Sequence, residues 1–519
     1  MANIPVDHNR VFTPIEAESS VTYGPTTYVR RDRATAIGID GQRTSWLATR
    51  PSRRTPALFL NQSAVNKLTP TIAAGVNVDF VSLFPVGQCV YNDGFIMACI
   101  NSINMDGYRI EGIDIGYGNA TMNVKTGHIT TYIDAWINMI FPVYCGIRVD
   151  FDYATFAGTF ALQRRTSGNL EEIDVVQTGM TFAPGPSRTQ FVSGICSFPI
   201  IDSIAASLAP DIGAIFRDVG MQVLRDPDGG GPADSPVAGA TERALAGIRI
   251  SSAIGTTLRN QLYTPLNDVV ENDSHVALFT NTRLTSGGVA PDSPDLPGSY
   301  AYLPARRATY PGARTPSGAS YDLALALSVT GFNQLLKAQT EAGLLTLDIT
   351  KDANGAPLTL ASLFEAGGLG PCPLFCLDPL EIRVRPAFAP VVVPEAGPDG
   401  ELVAMEIGGL RIETWISGTK LLDVVFDARV GMGVSVANNK FGVALSVPHA
   451  DAINFTIVDN PNNLPDPLVQ FLVSQLTPSL FPLISGAIQQ FQIPTFGPVR
   501  ATITEAGRIG DFLYLFGRV

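Results

Sequence analysis

Cysteine is the residue type with the clearest chemistry in this sequence. Six occur, Cys89, Cys99, Cys145, Cys196, Cys372 and Cys376, an even number that falls into sequence-local pairs. Pairing of that kind predicts three disulfides and an oxidising compartment. Zinc is the rival chemistry, but only the "CPLFC" segment has a close ligand spacing, and His8, His128, His275 and His449 each lack a second ligand pair nearby. The stretch "DPDGGGPADSP" (Asp226 to Pro236) sets carboxylates beside glycine, yet it lacks the twelve-residue spacing and closing Glu of a calcium loop and reads as a flexible loop. There is no G-x-S-x-G elbow, no G-x-x-x-x-G-K-[ST], no H-E-x-x-H and no strand-linked G-x-G-x-x-G. The residues therefore predict a non-enzyme with no metal and no cofactor. Sequons at Asn61, Asn119, Asn272 and Asn454 matter only in a host that glycosylates.

The elements that carry these residues belong to an apolar, turn-rich chain. Its 519 residues are 45% hydrophobic and 16% charged, with a mean hydropathy of +0.18, and they allow about two domains. Spread along them are 49 Gly and 38 Pro, a pattern of many short strands rather than helical bundles. A formal net charge of −12 speaks against nucleic acid and against an anionic membrane surface as the main partner, since both reward Lys/Arg clusters. Basic spots such as "VRRDR" (Val29 to Arg33) and "PSRRTP" (Pro51 to Pro56) read as solvated loop charge. No apolar h-region opens the chain, so paired cysteines imply that a targeting segment has been removed.

Two landmarks recur at nearly one shift. "FPIIDSIAASLAPDIGAIFRDVGMQVL" (Phe198 to Leu224) matches "DPLVQFLVSQLTPSLFPLISGAI" (Asp466 to Ile488) without a gap at a shift of 268, placing Pro199 with Pro467, Leu208 with Leu476 and Pro210 with Pro478. "LFLNQSAVNKL" (Leu58 to Leu68) matches "LALSVTGFNQL" (Leu325 to Leu335) at a shift of 267. The chain therefore reads as one unit of about 200 residues used twice.

Ile201, Ile204, Leu208, Ile212, Ile215 and Val219 step by three and four, as do Val469, Leu472, Leu476, Leu480, Leu483 and Ala487, which predicts one apolar helical face in each copy. Asp202, Ser203, Arg217 and Asp218 exclude a membrane span in the first copy, and the prolines favour a curved, packed helix in the second. Pro199 and Pro467 suit a first helical turn, while Pro210 and Pro478 remove an internal hydrogen bond and predict a kink. Between the helices the period changes to two. "IRVDFDYATF" (Ile147 to Phe156) and "VGMGVSVANNKFGVALSV" (Val430 to Val447), with its turn at Asn438 and Asn439, predict antiparallel strands bent where glycine allows.

This order, a strand, a helix opening "VTGFNQLLKAQTEAGLLTLDI" (Val329 to Ile349), a twisted sheet and a long kinked helix, all done twice and closed by "VRATITEAGRIGDFLYL", resembles the tubular lipid-binding superfamily. Within it the chain looks like the bactericidal/permeability-increasing protein, lipopolysaccharide-binding protein and lipid transfer protein family. The resemblance covers about Pro56 to Val519. It implies an α+β fold of two tandem tubular domains, each a strongly bent antiparallel sheet wrapped with a long kinked helix and a shorter one, in a boomerang with a central sheet. Cys145 and Cys196 would then form the disulfide of the first domain; the pairs Cys89–Cys99 and Cys372–Cys376 lie outside the family pattern.

The expected organisation is an N-terminal extension over 1–55, a first tubular domain over 56–262, a connector that supplies the central sheet over 263–320, and a second tubular domain over 321–519. No repeat partner is visible for the connector. The resemblance further implies binding and transport of phospholipid or other acyl lipid, with transient membrane contact, in a secreted or periplasmic setting. Lining residues by position are Val65, Leu68, Ile72, Ile201, Ile204 and Leu208 in the first domain, and Phe332, Leu335, Leu336, Val469, Leu472 and Leu476 in the second. Two readings compete. A lipopolysaccharide-recognising host-defence protein would need a Lys/Arg cluster at its tip, and a structural or adhesion module would have solid cores. Oligomeric state is not legible in the sequence.

Overall fold

The computed structural model describes residues 12–23, 26–37, 44–47, 57–76, 79, 81–138, 143–167, 170–194, 199–224, 238–239, 241–242, 253–254, 260–263, 266–280, 283–285, 288–296, 299–302, 307–351, 355–362, 378–437, 440–446, 453–465, 469–470, 473, 491–492 and 501–519. Its architecture is mostly antiparallel sheet with few helices. A six-stranded sheet holds the middle, in the spatial order Leu266–Asn272, His275–Thr280, Ala57–Asn61, Leu323–Ser328, Phe512–Arg518, Thr502–Ile509. Its inner strands are apolar without alternation because both faces are covered. Leu58, Leu60, Val276, Leu278, Leu323, Leu325, Leu513 and Leu515 join the main apolar cluster. Phe59, Phe279, Phe512, Tyr514 and Phe516 form a separate aromatic cluster on the other face, together with Ala308 of the connector and Tyr321 just after it.

From each of the two middle strands the chain turns directly into a helix. Asn61 caps helix α1 (Gln62–Gly75), its Oδ1 accepting from the Ala64 backbone N–H at 3.2 Å, and Ser328 caps helix α3 (Val329–Glu341), its Oγ accepting from Gly331 at 2.9 Å. A short polar side chain at this place satisfies one of the N–H groups that a helix start leaves unpaired. The sequon residue Asn61 is thus engaged in the fold, since its Nδ2 also donates to the Tyr321 carbonyl.

Between positions 89 and 194 the described residues form an antiparallel meander whose long ribbons are each broken at a two-residue corner. Ile96–Met105 continues as Tyr108–Gly116, Asn119–Thr126 as Ile129–Ile137, Val143–Phe151 as Ala154–Ser167, and Leu170–Pro184 as Ser187–Gly194. The expected single bent sheet is therefore divided into a five-stranded and a four-stranded part. Glycines sit at the corners, as the sequence predicts. Gly107 has φ +96°, and a Cβ on Gly185 would fall 2.7 Å from the Tyr153 carbonyl oxygen. The segment read as one strand, Ile147 to Phe156, is two strands meeting at Asp152 and Tyr153, with Ile147, Val149 and Phe151 pointing inward.

The second half repeats the device in a sheet built on Leu380–Pro386, Val403–Ile416 and Thr419–Ala437, the last pairing with both Ile453–Asp459 and Lys440–Leu445. Ala437 pairs with Lys440, which is the hairpin expected around Asn438 and Asn439. Gly409, at φ +64°, takes the bulge where the long strand bends.

Part of the N-terminal extension is structured. Phe12–Tyr23 and Thr26–Ile37 form a hairpin, so Val29 to Arg33, expected in a loop, lie in a strand opposite Glu16 to Ser20, and Thr44–Leu47 pairs with Ser299–Tyr302 of the connector. The loop at Asp226 to Pro236, Cys196, Cys372 and Cys376 lie outside the described residues, as does most of Asp466 to Ile488.

Candidate functional site

Helix α2 (Pro199–Leu224) runs unbroken through Pro210, which is exposed. Its inward stripe is Leu208 (0% exposed), Ile212 (0%), Phe216 (1%) and Val219 (3%), while Asp211, Arg217 and Asp218 face water. This stripe meets the inward rows of the meander. Phe216 lies 4.8 Å from Phe84 and 5.5 Å from Phe151, both edge to face. At Gly220 the helix comes so near the sheet that a Cβ would fall 2.2 Å from Phe156 Cε1.

Among the described residues the meander does not close on itself. Its five-stranded part ends at Cys89–Asn92 on one edge and at Ser187–Gly194 on the other, and these strands do not pair. Helix α2 touches both edges. Closure of this interior is therefore made by side chains rather than by a backbone ladder.

The predicted lining residues fall as follows. Leu68 and Ile72 of α1 are buried and Val65 is half-buried, all joining the same apolar cluster as Leu208. Ile201 and Ile204 lie on α2, their side chains outside the described set. In the second half Phe332, Leu335 and Leu336 of α3 and Val469 are buried in the cluster, whereas Leu472 and Leu476 lie outside the described residues. Asn333 pins α3 to the strand Val391–Val393, donating to the Val392 carbonyl at 3.1 Å and accepting its N–H at 2.7 Å.

Three polar groups in these surroundings were not foreseen. Thr131 sits in the inward row between Ile129 and Ile133, fully buried, and its Oγ1, like the two side-chain oxygens below, has no hydrogen-bond partner among the described residues. Gln339 (4% exposed) shares a helical face with Phe332, Leu335 and Leu336, and its Oε1 is unpartnered. Glu271 (7% exposed) has an unpartnered Oε1 as well. Burial pushes the Glu271 carboxyl up to about 7, against which a backbone hydrogen bond from Leu162 works. Periodicity could have flagged Gln339, at the centre of an apolar stripe. Glu271 follows two valines in a strand, and only the sheet's second face reveals where it points.

One disulfide is present among the described residues, Cys89–Cys99, joining two neighbouring strands as expected. Cys145 is also disulfide-bonded, its partner lying outside the described set. A disulfide fits an oxidising compartment. Among the described residues no helix is long and apolar enough to cross a membrane.

No protein-family model and no curated protein matches the chain. Solved structures do. A crystal structure of lipopolysaccharide binding protein overlaps 90% of this chain and 98% of its own at 10% identity, with a TM-score of 0.44. P47 of Clostridium botulinum E1 overlaps 90% of this chain and 100% of its own at 7% identity, with a TM-score of 0.30. Takeout 1 of Epiphyas postvittana overlaps 36% of this chain and 88% of its own at 9% identity, with a TM-score of 0.21. No score reaches 0.5, so function is read from the geometry of the chain itself. Structures similar to this chain thus include lipopolysaccharide binding protein and Takeout, both members of the tubular lipid-binding superfamily that the sequence resembles.

Proposed function

We propose that this protein binds acyl lipid, phospholipid or fatty acid, between the meander and helix α2, and a second lipid beneath α3, and that it carries lipid rather than transforming it. The observation that carries the reading is the unclosed meander bridged by an apolar helix face. A wall completed by side chains can part to admit a hydrocarbon chain without breaking a strand ladder, and the residues it would expose, Leu208, Ile212 and Phe216, are those that favour hydrocarbon over water. The disulfide supports a secreted or periplasmic setting.

Organic extraction of the purified protein with lipid analysis, or native mass spectrometry, is the test. Two acyl chains hold some thirty methylenes, and at about 0.8 kcal/mol each their burial exceeds the cost of ordering them, so lipid should be retained at one or two molecules per chain. Absence of extractable lipid, with no uptake of fluorescent lipid by the folded protein, would leave a structural module with solid cores. Lipopolysaccharide binding without internal lipid would favour the recognition reading.

A further inference from the structure

Glu271 stands in the strand Leu266–Asn272, at one edge of the central sheet. Side chains alternate along this strand. Val269, opposite Leu278, packs against the main apolar cluster, and Val270 packs against the aromatic cluster on the other face. Glu271 therefore points to the same face as Val269, beside its cross-strand partner Val276, which belongs to the cluster that also holds Leu60, Ile133 and Leu208. The strand abuts the four-stranded part of the meander, where the Gly118 N–H donates to the Glu271 carbonyl at 3.3 Å. The carboxyl thus sits in the seam between central sheet and meander, more than nine-tenths buried, with an acceptor oxygen, Oε1, that has no hydrogen-bond partner among the described residues. Burial raises its proton affinity, and a backbone hydrogen bond from Leu162 works against that.

An acceptor left bare in an apolar interior is costly, and an ionised one without a counter-charge more so. A ligand that brings a donor removes that cost. We propose that Glu271 holds the polar head of the lipid bound beside the meander, and that this head presents a hydrogen-bond donor, an ammonium or a hydroxyl, to Oε1. The inference rests on the lipid-binding reading and adds to it the class of head that the site selects. An ammonium would also supply the missing counter-charge, whereas a hydroxyl would satisfy only the acceptor.

The test is competition for the full-length, delipidated protein among three lipids with identical acyl chains: phosphatidylethanolamine, phosphatidylcholine and diacylglycerol. The first two differ only in that methyl groups replace the ammonium donors. Wild-type protein should take up phosphatidylethanolamine or diacylglycerol at least about tenfold over phosphatidylcholine, the factor a hydrogen bond to a charged group supplies. Glu271→Leu should bind all three alike. Glu271→Gln keeps size and acceptor but not charge, so it should lose preference for the ammonium head and keep preference for the hydroxyl, which tells the two sources apart. Equal uptake of the three lipids by wild type overturns the inference while leaving lipid binding intact, and so does a preference that survives in Glu271→Leu. If wild type takes up no lipid at all, the lipid-binding reading fails and this inference with it. The wild-type measurement needs no variant to fold, and the isosteric Gln variant gives a second arm should the Leu variant not.

Discussion

Leu58 and Leu325 face each other across the two middle strands of the central sheet, and they stand 267 positions apart, the shift at which their segments align in sequence. Each is opposite its own counterpart, so a local two-fold axis passes between them. The axis relates Asn61 to Ser328, the two helix caps, which are also 267 positions apart. Beyond the middle strands the same symmetry holds at another spacing: Leu278 pairs with Leu58 and Leu515 with Leu325, 237 positions apart. The hairpin of Leu266–Asn272 and His275–Thr280 answers to that of Thr502–Ile509 and Phe512–Arg518.

The caps give a first prediction. Ser328→Ala should cost about 1 kcal/mol in urea unfolding, the usual loss for an N-cap. Asn61→Ala should cost more than Ser328→Ala, because the Asn61 amide also holds the Tyr321 carbonyl. Equal losses would show that the Tyr321 contact adds nothing.

Glu271 predicts a pH dependence. Its carboxyl is raised from 4.5 to about 7, so the folded state holds the proton more tightly than the unfolded chain. The stability it contributes is present below about pH 4.5 and is lost as the pH rises through about 7. Glu271→Gln should match wild type near pH 4.5 and exceed it by roughly 3 kcal/mol at pH 8, since each tenfold gain in proton affinity on folding is worth about 1.4 kcal/mol. A difference that stays constant across this range in thermal melts would mean that the carboxyl is not desolvated.

Phe216 tests the helix seat. It fills the space between Phe84 and Phe151, so Phe216→Ala should destabilise by about 3–5 kcal/mol. Lipid added back should recover part of that loss if an acyl chain occupies the vacated volume. No change on adding lipid would argue that the interior is closed to it.

For the cysteines, intact mass with alkylation before and after reduction should show labelled thiols only after reduction. Peptide mapping should recover Cys89 linked to Cys99 and, on the family resemblance, Cys145 linked to Cys196. A free Cys145 thiol would contradict its bonded state in the fold.

Much of this fold was legible because its signals are local. The helix face of Leu208, Ile212 and Val219 follows from spacing, the turn between Ala437 and Lys440 from two asparagines, and the Cys89–Cys99 bond from nearness in sequence. What was missed depends on distant pairing. The corner at Asp152 and Tyr153 exists because neighbouring ribbons bend together there, Asp152 bonding to Pro186 and Gly185 to Tyr153. The hairpin symmetry escaped notice because its spacing differs from that of the helices by some thirty positions, and because its residues are matched by pairing rather than by identity. Among the expected lining residues, the burial of Leu68, Ile72, Leu208, Phe332, Leu335 and Leu336 was readable from periodicity. The polar points of the site, Thr131, Glu271 and Gln339, look like ordinary strand or helix residues until both faces of each element are assigned.

The order of strands in the central sheet also bears on how the chain is made. Leu323–Ser328 lies between Ala57–Asn61, translated long before it, and Phe512–Arg518, translated 184 positions after it. At synthesis rates of 5–20 residues per second, roughly ten to forty seconds separate a strand from its second neighbour. Through that interval Leu323 to Leu327 presents an unfilled, wholly apolar edge, the kind of template on which another nascent chain can pair. Polysomes that crowd such intermediates together should therefore favour exchange of the closing hairpin between molecules, and a holdase acting on the nascent chain would find its strongest demand in this window.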